Sequence, residues 1–361
     1  MKNKIAIASA FLAASSLSFA EVSLTENISV GGFVDMSYSH TDDDSVADES
    51  TNSYTLDQVE VSWYFDFSPV TAQIDIEYEG GDVLVDQGFV TYDLGGGTAI
   101  TAGRYDSMLG FEAFEPTGMY QYSTAYNTNS QTEIDDLNTE VEVLTGGVLD
   151  IGIEGYSDII KPRTNEGVKL THESGSNFYG ISLQDGGFFG DNRLGGDTQS
   201  DIDDAVLSGQ GYAVEAAFAT DLGNGFNLFV GGLWENADSD VFGEVDSTVY
   251  NAYLTYETGA WLFAAEYIMT EHDFEASGDL EIDSFLLMAN YSYSDQASIT
   301  GRISEVDIDD YADATKLTIA HLYAFTDNLA LCTELSTVDY DYEGDESGDT
   351  LEAGVELLFT F

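Results

Sequence analysis

The chain has 361 residues, with 67 acidic against nine basic side chains and a formal net charge of −58. Such a field repels nucleic acid and anionic lipid surfaces and concentrates cations, so no nucleic-acid partner is expected. Hydrophobic residues at 43% and aromatics at 13% exclude a disordered acidic chain, although adaptation to a salty medium would explain part of the charge.

Residues 1–20 read as an export signal. Lys2 and Lys4 form a positive start, Ile5 to Leu12 a short apolar stretch, and Ser18-Phe19-Ala20 a small-x-small cleavage site, so the mature chain is expected to begin at Glu21. That leaves seven basic residues against all 67 acidic ones, a net charge of −60. No later stretch approaches the roughly 18 apolar residues of a spanning helix, which excludes an α-helical membrane protein. The single cysteine, Cys332, permits no intrachain disulfide.

From there the pattern is alternation with period two, in segments of about ten residues set off by turn signals, as expected of strands facing lipid on one side and water on the other. Val59, Val61, Trp63, Phe65 and Phe67 alternate with Gln58, Glu60, Ser62, Tyr64 and Asp66. Beyond Ser68-Pro69, Val70, Ala72, Ile74, Ile76 and Tyr78 share one face, with Asp75 and Glu77 on the other. The pattern returns at 212–234, 250–269, 285–303 and 314–338, and closes with Leu351, Ala353, Val355, Leu357, Phe359 and Phe361. A terminal aromatic of this kind resembles the signal by which outer-membrane barrels are recognised for insertion.

One set of connections is short: 68–69, 95–97, 174–176, 222–225, 258–259, 294–296 and 326–328. The other is longer and acidic: 40–53, 106–138, 186–209, 236–246, 271–280, 306–313 and 340–349. This asymmetry predicts an all-β, transmembrane, antiparallel up-and-down barrel with short periplasmic turns and long acidic extracellular loops. The count is 18 strands if 139–145 and 148–157 form a hairpin and 16 if they do not; either width leaves an aqueous channel. Aromatics at strand ends, among them Trp261, Tyr256, Tyr293 and Phe325, suit interfacial girdles.

Ionised carboxylates facing lipid would be costly, so the acidic phase must face inward. It includes Asp35, Glu60, Asp66, Asp75, Glu77, Asp150, Glu154, Glu215, Glu266, Glu334, Glu352 and Glu356. Rings of Asp and Glu favour cations. Alternation also sends Arg104, Lys169, Arg302 and Lys316 inward, with the face of Arg104 the least defined. The long stretch 106–138 carries Glu112, Glu115, Glu133, Asp135 and Asp136. Folded inward, it would oppose those bases and set a transverse field at a constriction. The alternative is that each base neutralises a nearby acid.

No metal or cofactor site is expected. The tracts Asp42-Asp43-Asp44, Asp201-Ile202-Asp203-Asp204 and Asp307-Ile308-Asp309-Asp310 lack the glycine and final glutamate of an EF-hand. His40, His172, His272 and His321 are scattered without a catalytic motif, so no enzyme is expected. His321 falls in the lipid-facing phase, where a local bulge or interfacial depth would account for it.

One stretch goes beyond pattern. Gln87 to Asp93 (QGFVTYD), Leu94-Gly95-Gly96-Gly97, Thr101 to Asp106, Leu109 to Pro116 and Tyr120 to Ser123 together resemble the OmpL-like β-barrel porin-2 family of outer-membrane porins. The resemblance covers about 85–125 and implies a porin fold and passive transport, with Arg104 matching the basic residue after the glycine. It implies no settled binding residues, and the acidity here runs against an anion-preferring role. The expectation is a cation-preferring porin in a Gram-negative outer membrane, passing small hydrophilic solutes and cations. Outer-membrane lipid, lipopolysaccharide and the barrel-insertion machinery would be its partners, with a homotrimer left open. The alternatives are a solute-specific channel with an aromatic slide of Tyr120, Tyr122 and Tyr126, an outer-membrane enzyme, or a structural or adhesive barrel.

Overall fold

The computed structural model describes residues 21–43, 49–79, 82–126, 157–188, 211–239, 243–275, 278–309, 312–342 and 347–361. Its strands are β1 (Val22–Ser23), β2 (Ile28–Asp43), β3 (Glu49–Phe67), β4 (Val70–Glu79), β5 (Asp82–Gly95) and β6 (Thr98–Asp106). They continue as β7 (Thr164–Ser174), β8 (Asn177–Gln184), β9 (Gly211–Gly223), β10 (Phe226–Ser239), β11 (Gly243–Thr258) and β12 (Trp261–Phe274). The last are β13 (Gly278–Ser294), β14 (Ala297–Ile308), β15 (Ala312–Thr326), β16 (Leu329–Tyr342) and β17 (Ser347–Thr360). One helical turn, α1 (Ser157–Ile160), precedes β7.

Each strand from β2 to β17 pairs antiparallel with the next, and β17 returns to β2 from Thr350↔Asp43 to Thr360↔Phe33. Phe361 and Gly32 then exchange two backbone hydrogen bonds of 3.0 Å, and β1 takes over along the same edge of β2. The result is a closed barrel of 16 strands, which removes the exposed sheet edge that would template aggregation. Because β6 pairs directly with β7, from Thr98↔His172 to Asp106↔Thr164, the smaller of the two strand counts holds. The hairpin proposed over 139–157 lies almost wholly outside the described residues.

All seven short connections fall where turn chemistry puts them. At Asn224-Gly225 both residues have positive φ, 57° and 87°, as a type I′ hairpin turn requires. At the opposite rim much of the acidic sequence is ladder rather than loop. Asp246 pairs with Asn236, Asp273 with Asp279, and Asp339 with both Thr315 and Asp349. Like charges there stay exposed to water, so the ladder continues past the apolar band.

The outer face carries that band. Val61, Ile74, Ile76, Leu254, Leu287, Ile319, Leu335 and Val355 point outward, and aromatic pairs mark its ends. Phe226–Tyr256 (4.2 Å) and Trp261–Tyr291 (4.5 Å) stack near the short turns, and Tyr212–Trp234 (5.4 Å) meet edge-on toward the other rim. His321 keeps the outward register without a bulge, between Ile299 and Thr333 on the flanking strands. Tyr293 satisfies it, with Oη 2.6 Å from Nε2, close to the Asp327-Asn328 turn. Interfacial depth therefore accounts for it.

Candidate functional site: the inward segment and the acidic wall

The interior is not uniformly acidic, which corrects the simplest reading of the alternation. Inward positions of β9 to β14 include Phe229, Leu233, Val249, Tyr253, Ile268, Leu286 and Val306, which form one apolar cluster with Leu109, Phe111, Tyr120 and Tyr126. These last four belong to 107–126, the segment after β6, which folds into the barrel. The remainder of the stretch expected to form a constriction, 127–138, lies outside the described residues.

Wall acids hold the segment by its backbone. Ser107 Oγ and the Met108 N–H both donate to Glu215, each at 2.7 Å. Gly110 N–H donates to Asn251 Oδ1 at 2.9 Å, and Phe111 N–H to Glu266 Oε1 at 2.7 Å. Tyr122 and Ser123 N–H groups donate to Glu334 at 2.9 and 3.0 Å. The same device holds a second piece: Gly187 and Phe188 N–H groups donate to Glu235 at 2.7 and 2.9 Å. Bonds to a buried carboxylate are charge-assisted and stronger than neutral ones, which suits segments that lack a ladder of their own.

Small residues in the inward phase make room. A Cβ on Gly231 would fall 2.6 Å from Leu109 Cδ2, and one on Gly354 would fall 2.7 Å from Tyr122 Cδ1. The three tyrosines weighed as a slide are spent on packing and anchoring. Tyr120 and Tyr126 are buried; Tyr122 donates from Oη to Ser37 at 3.0 Å, and Tyr126 to Glu266 at 2.9 Å.

The bases do not oppose the segment across a gap. Arg302 is fully buried and touches Glu112 directly, Nη1 to Oε1 at 2.5 Å. It also donates to the carbonyls of Ser123 and Thr124 and to Thr318 Oγ1, at 2.9 to 3.2 Å. Lys316 pairs with Glu352 at 2.9 Å. Lys169 lies over the Tyr105 ring at 4.2 Å and reaches the Asp106 carbonyl at 3.4 Å. Arg302 and Lys316 thus each neutralise a nearby acid, whereas Lys169 reaches a backbone carbonyl. Arg104 departs from the inward expectation: it shares the phase of exposed Ile100 and Ala102, while Thr101 and Tyr105 point in. Its Nε donates to the Asp86 carbonyl at 2.8 Å. The positive φ of Gly103, 132°, lies beside it, where a side chain would strike the Gly88 carbonyl.

The β2–β5 wall differs. Glu60, Asp75, Glu77 and Asp86 are buried on its inner face, and Glu115 reaches across to meet them. Gln58 Nε2 donates to both Glu77 and Glu115, the latter at 2.9 Å. Burial first, and then the charges of Glu60, Asp86, Glu77 and Asp106, push the Glu115 carboxyl well above its usual range. A second group lies beside it: Asp35 and Glu356 are inward neighbours on the paired strands β2 and β17, and Asp57 is bulged out of register next to Gln58.

Of the expected residues, Glu112 and Arg302 come together, as do Lys316 and Glu352, and Glu60, Asp75, Glu77 and Glu115. Glu266 lies on the opposite wall, Glu356 joins Asp35, and Glu154 lies outside the described residues. Neither Glu235 nor Asp86 is among the inward acids that the sequence reading marked. The bulge between Ile74 and Ile76 in the β4–β5 pairing shifts the phase of β5, so simple counting from Thr91 does not carry back to Asp86. His272, near the outer end of β12, is a buried inward residue with ring nitrogens 2.9 Å from Ser247 Oγ and the Ile159 carbonyl.

No family model matches the chain, and no curated protein matches it by sequence. Solved structures do. The outer membrane channel DcaP of Acinetobacter baumannii superposes with a TM-score of 0.65 at 12% identity, over 92% of this chain and 97% of that one. An anion-selective porin from Comamonas acidovorans gives 0.63 at 12%, over 92% and 99%. Outer-membrane expressed OmpT of Vibrio cholerae gives 0.58 at 13%, over 94% and 100%. At these identities the likeness is one of fold alone.

Proposed function

We propose that the protein is an outer-membrane porin that passes small hydrophilic solutes by diffusion and prefers cations. The observation that carries this reading is the imbalance inside the barrel. Arg302 and Lys316 are each consumed by an acid, while Glu60, Asp75, Glu77, Asp86 and Glu115 face one another. Excess carboxylates along a passage lower the energy of a cation in it and raise that of an anion. One of the similar structures is described as anion-selective, so preference is a property of each chain's lumen charges and not of the shared fold.

The same reading takes residues 1–20 as the export signal, the outer membrane as the site of action and its lipid and lipopolysaccharide as surroundings. The resemblance around residues 85–125 to the OmpL-like porins supports it. One Vibrio cholerae OmpT structure is described as a trimer, and a homotrimer is the assembly we infer here. The buried tyrosines give a solute-specific aromatic slide no support. Planar-bilayer recordings in a KCl gradient test the proposal: a reversal potential on the potassium side is expected, and one on the chloride side overturns the preference. Absence of any conductance from folded protein overturns the porin itself.

A further inference from the structure

Three carboxylates from separate elements converge beside the inward segment. One oxygen each from Glu60 of β3, Asp86 of β5 and Glu115 lie within 4.8 Å of one another. Each carboxylate has a donor on one oxygen: Ser62 Oγ to Glu60 Oε1 (2.5 Å), Thr164 Oγ1 to Asp86 Oδ1 (3.3 Å) and Gln58 Nε2 to Glu115 Oε2 (2.9 Å). Their second oxygens, Glu60 Oε2, Asp86 Oδ2 and Glu115 Oε1, accept nothing from the described residues.

An independent feature points the same way. Asp75 is fully buried; its Oδ2 accepts from Gln73 at 2.7 Å, but Oδ1 has no partner. It stands on β4, between the strands of Glu60 and Asp86, opposite Ser62 and in the same inward phase. Glu60 and Asp86 both lie within electrostatic reach of it. An ionised oxygen left bare in a dry interior is costly, and so is a set of like charges at this spacing. Two nearby bases are engaged elsewhere: Lys169 over Tyr105, and Arg104 on the Asp86 carbonyl.

We propose that Glu60, Asp86 and Glu115, with Asp75 behind them, hold a calcium ion that ties the inward segment to the β3–β5 wall. The chemistry selects the ion. An all-oxygen, all-anionic donor set suits a hard divalent cation, and ligands at about 2.4 Å from a common ion are at most about 4.8 Å apart. Magnesium demands ligands at about 2.0–2.1 Å in near-octahedral order and holds its water, so this spread favours calcium. The ion offsets the repulsion among the carboxylates and makes the position of Glu115 depend on the medium. The proposal stands whether or not the barrel conducts.

Calorimetric titration of CaCl2 into chelator-stripped, detergent-folded protein, in excess KCl to screen loose surface binding, is the test. A saturable site is expected, weakened about tenfold or more in Glu115→Gln and in Asp86→Asn, and unchanged in Glu281→Gln, which alters an exposed acid. Identical curves for the wild type and both site variants overturn the proposal, and protons rather than a metal then relieve the cluster. Crystals soaked in terbium test it without substitution: an anomalous peak among the three carboxylates is expected, and none there overturns it.

Discussion

Two walls of the barrel carry buried acids in the same inward phase and use them differently. On β9, β10 and β12, Glu215, Glu235 and Glu266 accept from backbone N–H groups of segments folded into the barrel. On β3 to β5, Glu60, Asp75 and Asp86 face one another and Glu115. The residue type and its phase are alike; what faces it decides the role. A carboxylate that satisfies two donors is an anchor, and its field is largely spent locally. A carboxylate among carboxylates keeps a field that acts on whatever ions approach.

The comparison can be broken first at the anchored side. Replacing Arg302 by alanine strands Glu112 in the interior and frees the Ser123 and Thr124 carbonyls. A loss on the order of 4 kcal/mol is expected in denaturant unfolding of the folded barrel. Chymotrypsin would then cut at Tyr120, Tyr122 or Tyr126, which the intact packing protects. Glu266→Ala removes the acceptor shared by Phe111 N–H, Asn251 and the Tyr126 hydroxyl. A loss of about 3 kcal/mol is expected by the same assay; unchanged stability and protease resistance would end the anchor reading.

A smaller effect is expected from shape alone. Gly354→Val would crowd the Tyr122 ring and cost about 1–3 kcal/mol, with the segment displaced and conductance altered. On the opposite wall the expectation reverses. In calcium-free medium, Glu60→Gln together with Asp75→Asn should leave stability unchanged or raised, because like charges are removed, while the reversal potential moves toward chloride. If stability falls as it does for Glu266, the two walls are not distinct.

The smallest effect concerns pH. The Glu115 carboxyl is raised in the folded state, so its neutral form is favoured there. With no calcium bound, its ionisation therefore opposes folding: the penalty grows as pH rises from the ordinary carboxylate range to the raised value, and it is lost as pH falls back through that window. Mild acidification should reduce cation preference before exposed acids titrate. Glu115→Gln should flatten that first step in reversal potential against pH.

How far the sequence carried the fold depends on whether a feature repeats locally. Alternation along 58–67 and 70–78 put Glu60, Asp75 and Glu77 inside because lipid forces the phase. Asn224-Gly225 marked its turn because two positive φ angles demand those residue types. The sequence was silent where the partner lies far along the chain. Glu112 meets Arg302 across 190 positions, and Phe111 meets Glu266 across 155. Gly231 and Gly354 could have hinted at inserted side chains, being gaps in an inward phase, but a glycine in a strand has many uses.

By itself, then, the sequence determined an acidic, two-faced sheet with paired short turns, because solvent on one face and lipid on the other act on every strand separately. Only the tertiary structure decided the 16-strand closure, the segment drawn across the interior, and which acids are anchors and which still face one another. Those outcomes depend on contacts between residues tens to hundreds of positions apart, and such contacts leave no periodic trace in the chain.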